Sequence, residues 1–488
     1  MSAPERREHN PWLALAALCI GFFMILVDVT IVSVAQKAIM ADLRADLSSV
    51  VWVTSAYLLA GSVPLLVSGR LGDRFGQGRV YLAGLVVFTA SSAWCGCSAT
   101  VGMLIAARAV QGLGSAFMTP QTMAIITRIF PSAKLGAALG AWGATAGFAT
   151  LFGPLAGGVI VDRLGWQWIF FINVPVGVAA FAMATRLLPP LPICRLPFDF
   201  VGFTLSGLGL FALVLGLLEG ERWDWDARPW LLILGGVLLL AGFAAWEGRS
   251  RAAPLMPLAL FRDRNFAISS LVIATVSFMM SGFMLPVMLY LQIALGFSAV
   301  HAALTTTPMA LASGLLSPLG GRLADRFHPR NVIGIGVILL GVGACWFAAV
   351  ATADADQWRL MAPMAVVGMG AASTYAPIGA AATRNLPGRD AGVYNTSRMV
   401  GAVLGSASVG ALMQALAADK LPPRAMGGLA GQTGALPEAL RPGFASAMSQ
   451  SMLLCVVVLA FGVLVAVSYG HAEARGEETG RTPAFSGH

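Results

Sequence analysis

Charge is what this sequence has least of: Asp, Glu, Lys and Arg together make up 11% of 488 residues, under half of the roughly one quarter usual in soluble domains. With 57% of residues hydrophobic, water is not the main solvent of the chain. A disordered segment, a nucleic-acid module and an ordinary cytosolic enzyme are excluded, so the formal net charge of +8 bears on orientation in a bilayer and not on nucleic acid. Lysine is nearly missing. Only Lys37, Lys134 and Lys420 occur, none followed by Ser or Thr, so no Walker A loop can form and ATP-driven work by this chain drops out. The metalloprotease pattern His-Glu-x-x-His and the hydrolase pattern Gly-x-Ser-x-Gly are also absent, which removes the common hydrolytic chemistries; no enzymatic activity is expected. The six cysteines (Cys19, Cys95, Cys97, Cys194, Cys345 and Cys455) are scattered, five of them in apolar stretches where a thiol acts as a small hydrophobe. No disulfide framework is expected. Cys95-Gly-Cys97 has no nearby His or second Cys pair and reads as packing, so neither a metal nor any cofactor is anticipated. A cleavable leader is not expected either, because the first apolar run is too long and carries Asp28 where small residues would mark a cleavage site.

What the chain has in abundance is apolar runs of membrane-crossing length. About 20 apolar residues span a bilayer as a helix, and only helices or closed barrels satisfy every backbone hydrogen bond there. Such runs occur at 12–36, 49–69, 80–99, 102–126, 135–160, 166–186, 199–219, 229–246, 265–289, 300–324, 331–350, 359–382, 390–417 and 448–469, without the alternation of barrel strands. The fold class is therefore all-α integral membrane, with 14 transmembrane helices. An even number puts both termini on one side. Of 31 Lys and Arg residues, 20 fall on that side, nine on the other, and Arg108 and Arg398 lie inside spans; the excess predicts cytoplasmic termini.

An internal repeat organises the spans. Gly69-Arg70-Leu71-Gly72-Asp73-Arg74-Phe75 follows span 2, and Gly321-Arg322-Leu323-Ala324-Asp325-Arg326-Phe327 follows span 10, six identities in seven. Spans 1–6 then correspond to spans 9–14, with spans 7 and 8 an inserted pair. Parallel repeats about an axis along the membrane normal are a transporter architecture. The expected organisation is a cytoplasmic tail at 1–11, a first six-helix bundle at 12–195, the inserted pair at 196–247, a linker at 248–264, a second six-helix bundle at 265–469 with an outer loop at about 418–447, and a cytoplasmic tail at 470–488.

Five stretches carry a family resemblance: Asp28 to Ala35 in span 1, Gly69 to Arg79 after span 2, Arg108 to Gly114 in span 4, Gly153 to Gly158 in span 5, and Trp166 to Pro175 opening span 6. In this order and on these spans the chain resembles the major facilitator superfamily, and within it the fourteen-helix drug:proton antiporters. It departs at Ser33, Gln36-Lys37, Ala149 and Gln77-Gly78. The resemblance implies the major facilitator fold, two six-helix bundles plus the inserted pair, in a bacterial cell (inner) membrane.

Asp28 is the acid placed well inside a span. A carboxylate at that depth costs about 2.5 to 3.5 kcal/mol on insertion scales and survives where it faces a cavity or a partner. A proton carrier must be ionised in one state and neutral in another, which burial and an opposing cation can produce in turn. Arg108 is its expected partner: counting 1.5 Å per residue from the two membrane faces brings both to similar depth. Gln111, on the same helical face as Arg108, would complete the network. The bland alternative is a static ion pair between helices. In the family resembled here, the arginine at this position is implicated in proton coupling.

The paired loops Gly69/Asp73/Arg74/Gly76 and Asp325/Arg326 fall at helix ends, where acids and bases meet helix dipoles, and read as a cytoplasmic gate; positive-inside anchoring would explain the Arg residues but not the repeated Asp. Gly153-Pro154 removes a helix hydrogen bond, and Gly157-Gly158 permits close helix approach; bare packing is the alternative, whereas the resemblance makes this an antiporter motif and implies export. Trp52, Tyr57, Trp142, Phe148, Phe152, Met280, Met284 and Met309 are candidates for an adaptable apolar cavity, each also compatible with core or lipid contact. Arg398 is the second buried cation; related members that carry organic cations often place an extra acid in this helix, and none occurs between Tyr394 and Gln414, so the resemblance argues against dicationic substrates.

The expected function is proton-coupled antiport exporting hydrophobic drugs or antibiotics by alternating access, with protons, small hydrophobic molecules and the bilayer as partners, no nucleic acid, and a monomeric state. A proton entering across 100 mV supplies about 2.3 kcal/mol. The alternatives are a dedicated exporter of one endogenous metabolite or antibiotic and, remotely, a non-transporting sensor or scaffold, which would require a soluble domain that the Gly/Pro/Ala-rich stretch at 418–447 lacks the periodicity to form.

Overall fold

A computed structural model describes residues 10–191, 193, 199–249, 258–383, 391–422 and 436–468. Most of the first tail, all of the second, residues 250–257 of the linker and residues 423–435 of the outer loop lie outside them. Among the described residues there are no strands, and fourteen helical rods follow one another: α1 Pro11–Leu43, α2 Leu47–Phe75, α3 Gln77–Gly96, α4 Val101–Ile129 and α5 Ser132–Leu164. Then come α6, in two pieces Trp168–Phe171 and Asn173–Leu187, α7 Phe200–Glu219, α8 Ala227–Arg249, and α9 Arg264–Leu289 running into a π turn at Tyr290–Ala294. The last are α10 Ala299–Arg326, α11 Pro329–Val350, α12 in two pieces Gln357–Ala372 and Tyr375–Thr383, α13 Ala391–Lys420 and α14 Arg441–Val467. Ten of the described helices, or eleven with the bent α2, are long and apolar enough to cross a membrane.

Local chemistry sets the ends. Asn10, Asp46, Thr100, Asp199, Asp263 and Ser298 each accept a hydrogen bond from a first-turn backbone amide of α1, α2, α4, α7, α9 and α10, answering donors the helix itself cannot satisfy. The turn from α2 to α3 is made by Gly76 alone at φ +97, a region glycine enters without a steric penalty.

Helices α1–α6 pack on one another, as do α9–α14, and α7 pairs with α8, which gives two six-helix bundles and an inserted pair. The bundles meet where α5 packs on α10 and where α2 packs on α13, and α7 lies against both α2 and α13. Much of this contact depends on glycine: a Cβ on Gly401 or Gly405 of α13 would collide with backbone of Ala274 or Phe278 in α9, and one on Gly112 of α4 with backbone of Tyr57 in α2. Small residues let helix backbones approach where lipid gives no hydrophobic drive for association.

Candidate functional site

The polar centre of the first bundle is assembled from five helices. Asp28 of α1 and Arg108 of α4 are 0% and 1% exposed, and Arg108 Nη1 donates to Asp28 Oδ2 at 2.5 Å. Gln111, one turn on from Arg108, donates Nε2 to Asp28 Oδ1 at 2.8 Å while its Oε1 accepts from Arg108 Nη1 at 2.7 Å. Sequence reasoning named these three, and the structure brings them together. It adds residues that reasoning missed. Asn173 of α6 donates to Asp28 Oδ1 and to Ser92 Oγ of α3, both at 3.0 Å, and Ser92 donates in turn to the Phe170 carbonyl. Arg108 Nε donates to the Val53 carbonyl of α2, and its guanidinium lies 4.1 Å from the centre of the Tyr57 ring and 5.8 Å from that of Phe170.

Both charges are therefore fully partnered in a dry setting. Breaking such a pair by removing one partner costs about 3 to 5 kcal/mol, because the other is left buried and uncompensated. The aromatic faces add cation–π attraction. Chemically, the carboxylate has a cation on one oxygen and two amide donors on the other, so a change in its charge is felt at once on α1, α3, α4 and α6.

The glycines of the Gly153–Gly158 stretch have identifiable contacts. A Cβ on Gly153 would meet Thr30 Oγ1, and one on Gly157 would meet Ile31, so both seat α5 against the part of α1 within three residues of Asp28. A Cβ on Gly158 would come within 2.8 Å of Val300 Cα, so this glycine lets α5 touch the start of α10 in the other bundle. Pro154 lies within α5, which continues through it.

On the side away from the termini the two bundles are bonded together. Asp162 of α5 accepts from the Ala299 and Val300 amides of α10 at 3.1 Å each. Lys37 of α1 donates to the Gln292 carbonyl at 2.8 Å, and Gln292 Nε2 donates to the Val34 carbonyl; Gln292 sits in the π turn that ends α9. Deeper in, the Ser55 and Ser406 hydroxyls bond at 2.9 Å.

On the side of the termini, Asp73 pairs with Arg128 of α4 at 3.0 Å, within its own bundle, and the Arg74 guanidinium lies over Phe75. Gly69 has open space around it. Asp325 and Arg326 close α10, and their side chains lie outside the described residues.

The aromatic and Met candidates do not share one environment. Tyr57 is buried under Arg108, Met309 is buried, and Met280 and Met284 pack partly buried on the core. Trp142 stacks on Phe22 with ring centres 4.4 Å apart, whereas Phe148 and Phe152 are exposed. Trp52 lies elsewhere. It lines a roughly 600 Å³ apolar groove between α2, α4 and α7, and its indole donates to Glu219 of α7 at 2.9 Å. Arg398 of α13 is half-buried, with Nε donating to Asn395 Oδ1 at 3.4 Å.

The sequence profile of the Major Facilitator Superfamily matches residues 18–406 and 270–476. The chain belongs to that superfamily. It is similar to an uncharacterized MFS-type transporter of Mycobacterium tuberculosis, 48% identical over 94% of this chain and 81% of the relative. It is also similar to the tetracenomycin C resistance and export protein of Streptomyces glaucescens, 34% identical over 85% of this chain and 78% of that protein. In fold it resembles a bacterial homolog of the human lysosomal transporter Spinster in an inward-facing, occupied conformation, with a TM-score of 0.62 at 19% identity over 96% of this chain and 97% of that one. This transporter thus joins a known membrane architecture to a buried ion pair inside its first bundle.

Proposed function

We propose that the protein is a proton-coupled antiporter that exports hydrophobic drugs or antibiotics from the cytoplasm, with both termini cytoplasmic, as a monomer in the bacterial cell membrane. The observation that carries this reading is the Asp28–Arg108–Gln111 network, a titratable group inside the membrane span, bonded to side chains of α4 and α6 of its own bundle. Asp28 takes a proton from outside, its bond to Arg108 weakens, and the bundles rock so that the side of the termini opens. Drug binding with proton release re-forms the pair and resets the cycle. An intact pair together with bundles bonded on the far side matches, in this cycle, the state just after proton release and before the bundles rock back.

Direction rests on the antiporter-motif glycines and on the export named for the Streptomyces relative. That same relative favours a second reading, export of one endogenous antibiotic. Uptake of tetracenomycin C and ethidium into inverted vesicles tests both: uptake of each, abolished by an uncoupler and by Asp28→Asn, is expected. Near wild-type, proton-driven uptake in Asp28→Asn refutes the mechanism, and uptake of tetracenomycin C alone favours the dedicated exporter.

A further inference from the structure

The inserted pair does not sit flush on the first bundle. α7 packs on α2 and α13, and beside α2 it leaves the roughly 600 Å³ groove that Trp52 lines. The back of the groove is α4, which turns Gly102, Ala106 and Ala109 toward it from one helical face. A Cβ on Gly102 would meet nothing within 4 Å, so α4 brings no bulk to fill the space. The two polar side-chain groups in the lining are already bonded, Thr204 Oγ1 to the Phe200 carbonyl and Trp52 Nε1 to Glu219. What remains is an apolar wall.

Place and size point to the occupant. The lining residues fall inside apolar spans, and Leu113, Leu208 and Phe211 are 37, 54 and 47% exposed, so the groove opens to the hydrocarbon around the protein. From Gly102 to Leu113 it runs about 16 Å along α4, which is the depth of one leaflet in a hydrocarbon core about 30 Å thick. Its end away from the termini meets the α7–α8 turn, where Glu219 accepts the Trp52 indole N–H. That turn carries Glu219, Glu221, Asp224 and Asp226 against Arg222 and Arg228, and both arginines already face an acid, Glu219 at 3.5 Å and Asp226 at 3.4 Å. The excess of acid attracts a headgroup that presents a cation and repels one that is only negative.

We propose that this groove holds one acyl chain of a phosphatidylethanolamine molecule from the leaflet away from the termini, with the ammonium group donating to the acidic α7–α8 turn. The chain fills the gap between α4 and α7, so a lipid completes the wall that joins the inserted pair to the first bundle. Neither the substrate nor proton coupling enters this argument.

Photolabelling of the full-length protein in phosphatidylcholine nanodiscs tests it. The probe is phosphatidylethanolamine with a diazirine midway along one acyl chain, and labelled positions are read by peptide mapping. Labelling of the 102–113 and 203–211 stretches should saturate, and unlabelled phosphatidylethanolamine should displace it at a lipid fraction at least fivefold lower than phosphatidylglycerol with the same chains. A106W fills the groove and should lower this labelling at least fivefold while that of the exposed α14 positions Val457 and Leu464 stays within twofold, which also reports a folded variant. The competition between headgroups needs no variant. Groove labelling no higher than that of α14, equal displacement by the two headgroups, or labelling that survives A106W overturns the proposal. Displacement by ethidium but not by phosphatidylethanolamine also overturns it, and would make the groove a substrate port.

Discussion

Asp162 and Val300 belong to different bundles, yet the Asp162 carboxylate accepts the Val300 amide, together with that of Ala299, and so caps a helix that is not its own. The cap joins the last turn of α5 to the first turn of α10, where Gly158 permits near-contact between the two backbones. Removing a helix cap costs about 1 kcal/mol, and here that cost falls only on the state in which the far side is closed. Asp162→Ala should therefore shift the balance between far-side-closed and far-side-open forms about fivefold toward open. The labelling rate of a cysteine placed at Val34, under the closed face, measures it; an unchanged rate would mean that the cap is not part of the gate.

The buried pair has a different signature. Asp28→Ala or Arg108→Ala alone leaves one uncompensated charge at 0 or 1% exposure and should lower stability by about 3 to 5 kcal/mol. The double variant removes both charges and should recover a large part of that loss, read as the thermal unfolding midpoint in nanodiscs. It should not recover proton-driven uptake. Stability that fails to recover would place the damage in the Gln111, Asn173 and Ser92 bonds.

How far the sequence reaches can be judged from this same site. Asp28, Arg108 and Gln111 were legible because a charge inside an apolar run is rare and depth follows from counting residues along a helix. Ser92 and Asn173 were not, since uncharged polar residues are common in such runs and nothing in a one-dimensional count says which way α3 and α6 face. The Trp166 to Pro175 stretch did flag the α6 start, without giving Asn173 its bond to Asp28. Fourteen rods and the paired bundles followed from hydropathy and one seven-residue repeat, whereas the aromatic and Met candidates scattered over groove, core and surface, because facing is a tertiary property.

Trp52 illustrates that scatter and can be tested. Its indole N–H meets Glu219 at the far end of α7, which ties that end of the inserted pair to α2. Trp52→Phe keeps the apolar bulk and deletes one hydrogen bond to a carboxylate, so it should cost about 1.5 to 3 kcal/mol of thermal stability. The Km for export should stay within twofold of wild type. A tenfold rise in Km would return Trp52 to the substrate path.

Gly158 separates packing from chemistry most cleanly. A methyl group there would come within 2.8 Å of Val300 Cα and 2.9 Å of its amide nitrogen, and backbone cannot yield as a flexible side chain would. Gly158→Ala should therefore push α5 from α10, overpacking this contact by about 1 to 3 kcal/mol and lengthening the Asp162 bonds. The Asp28–Arg108 pair, deeper in the first bundle, is not among the groups a methyl on Gly158 would meet, so the variant should still bind substrate while turning over slowly. A fall in the maximal export rate with Km held within twofold is the expected result. A raised Km at unchanged rate would instead mean that Gly158 shapes the substrate path and not the closure of the far side.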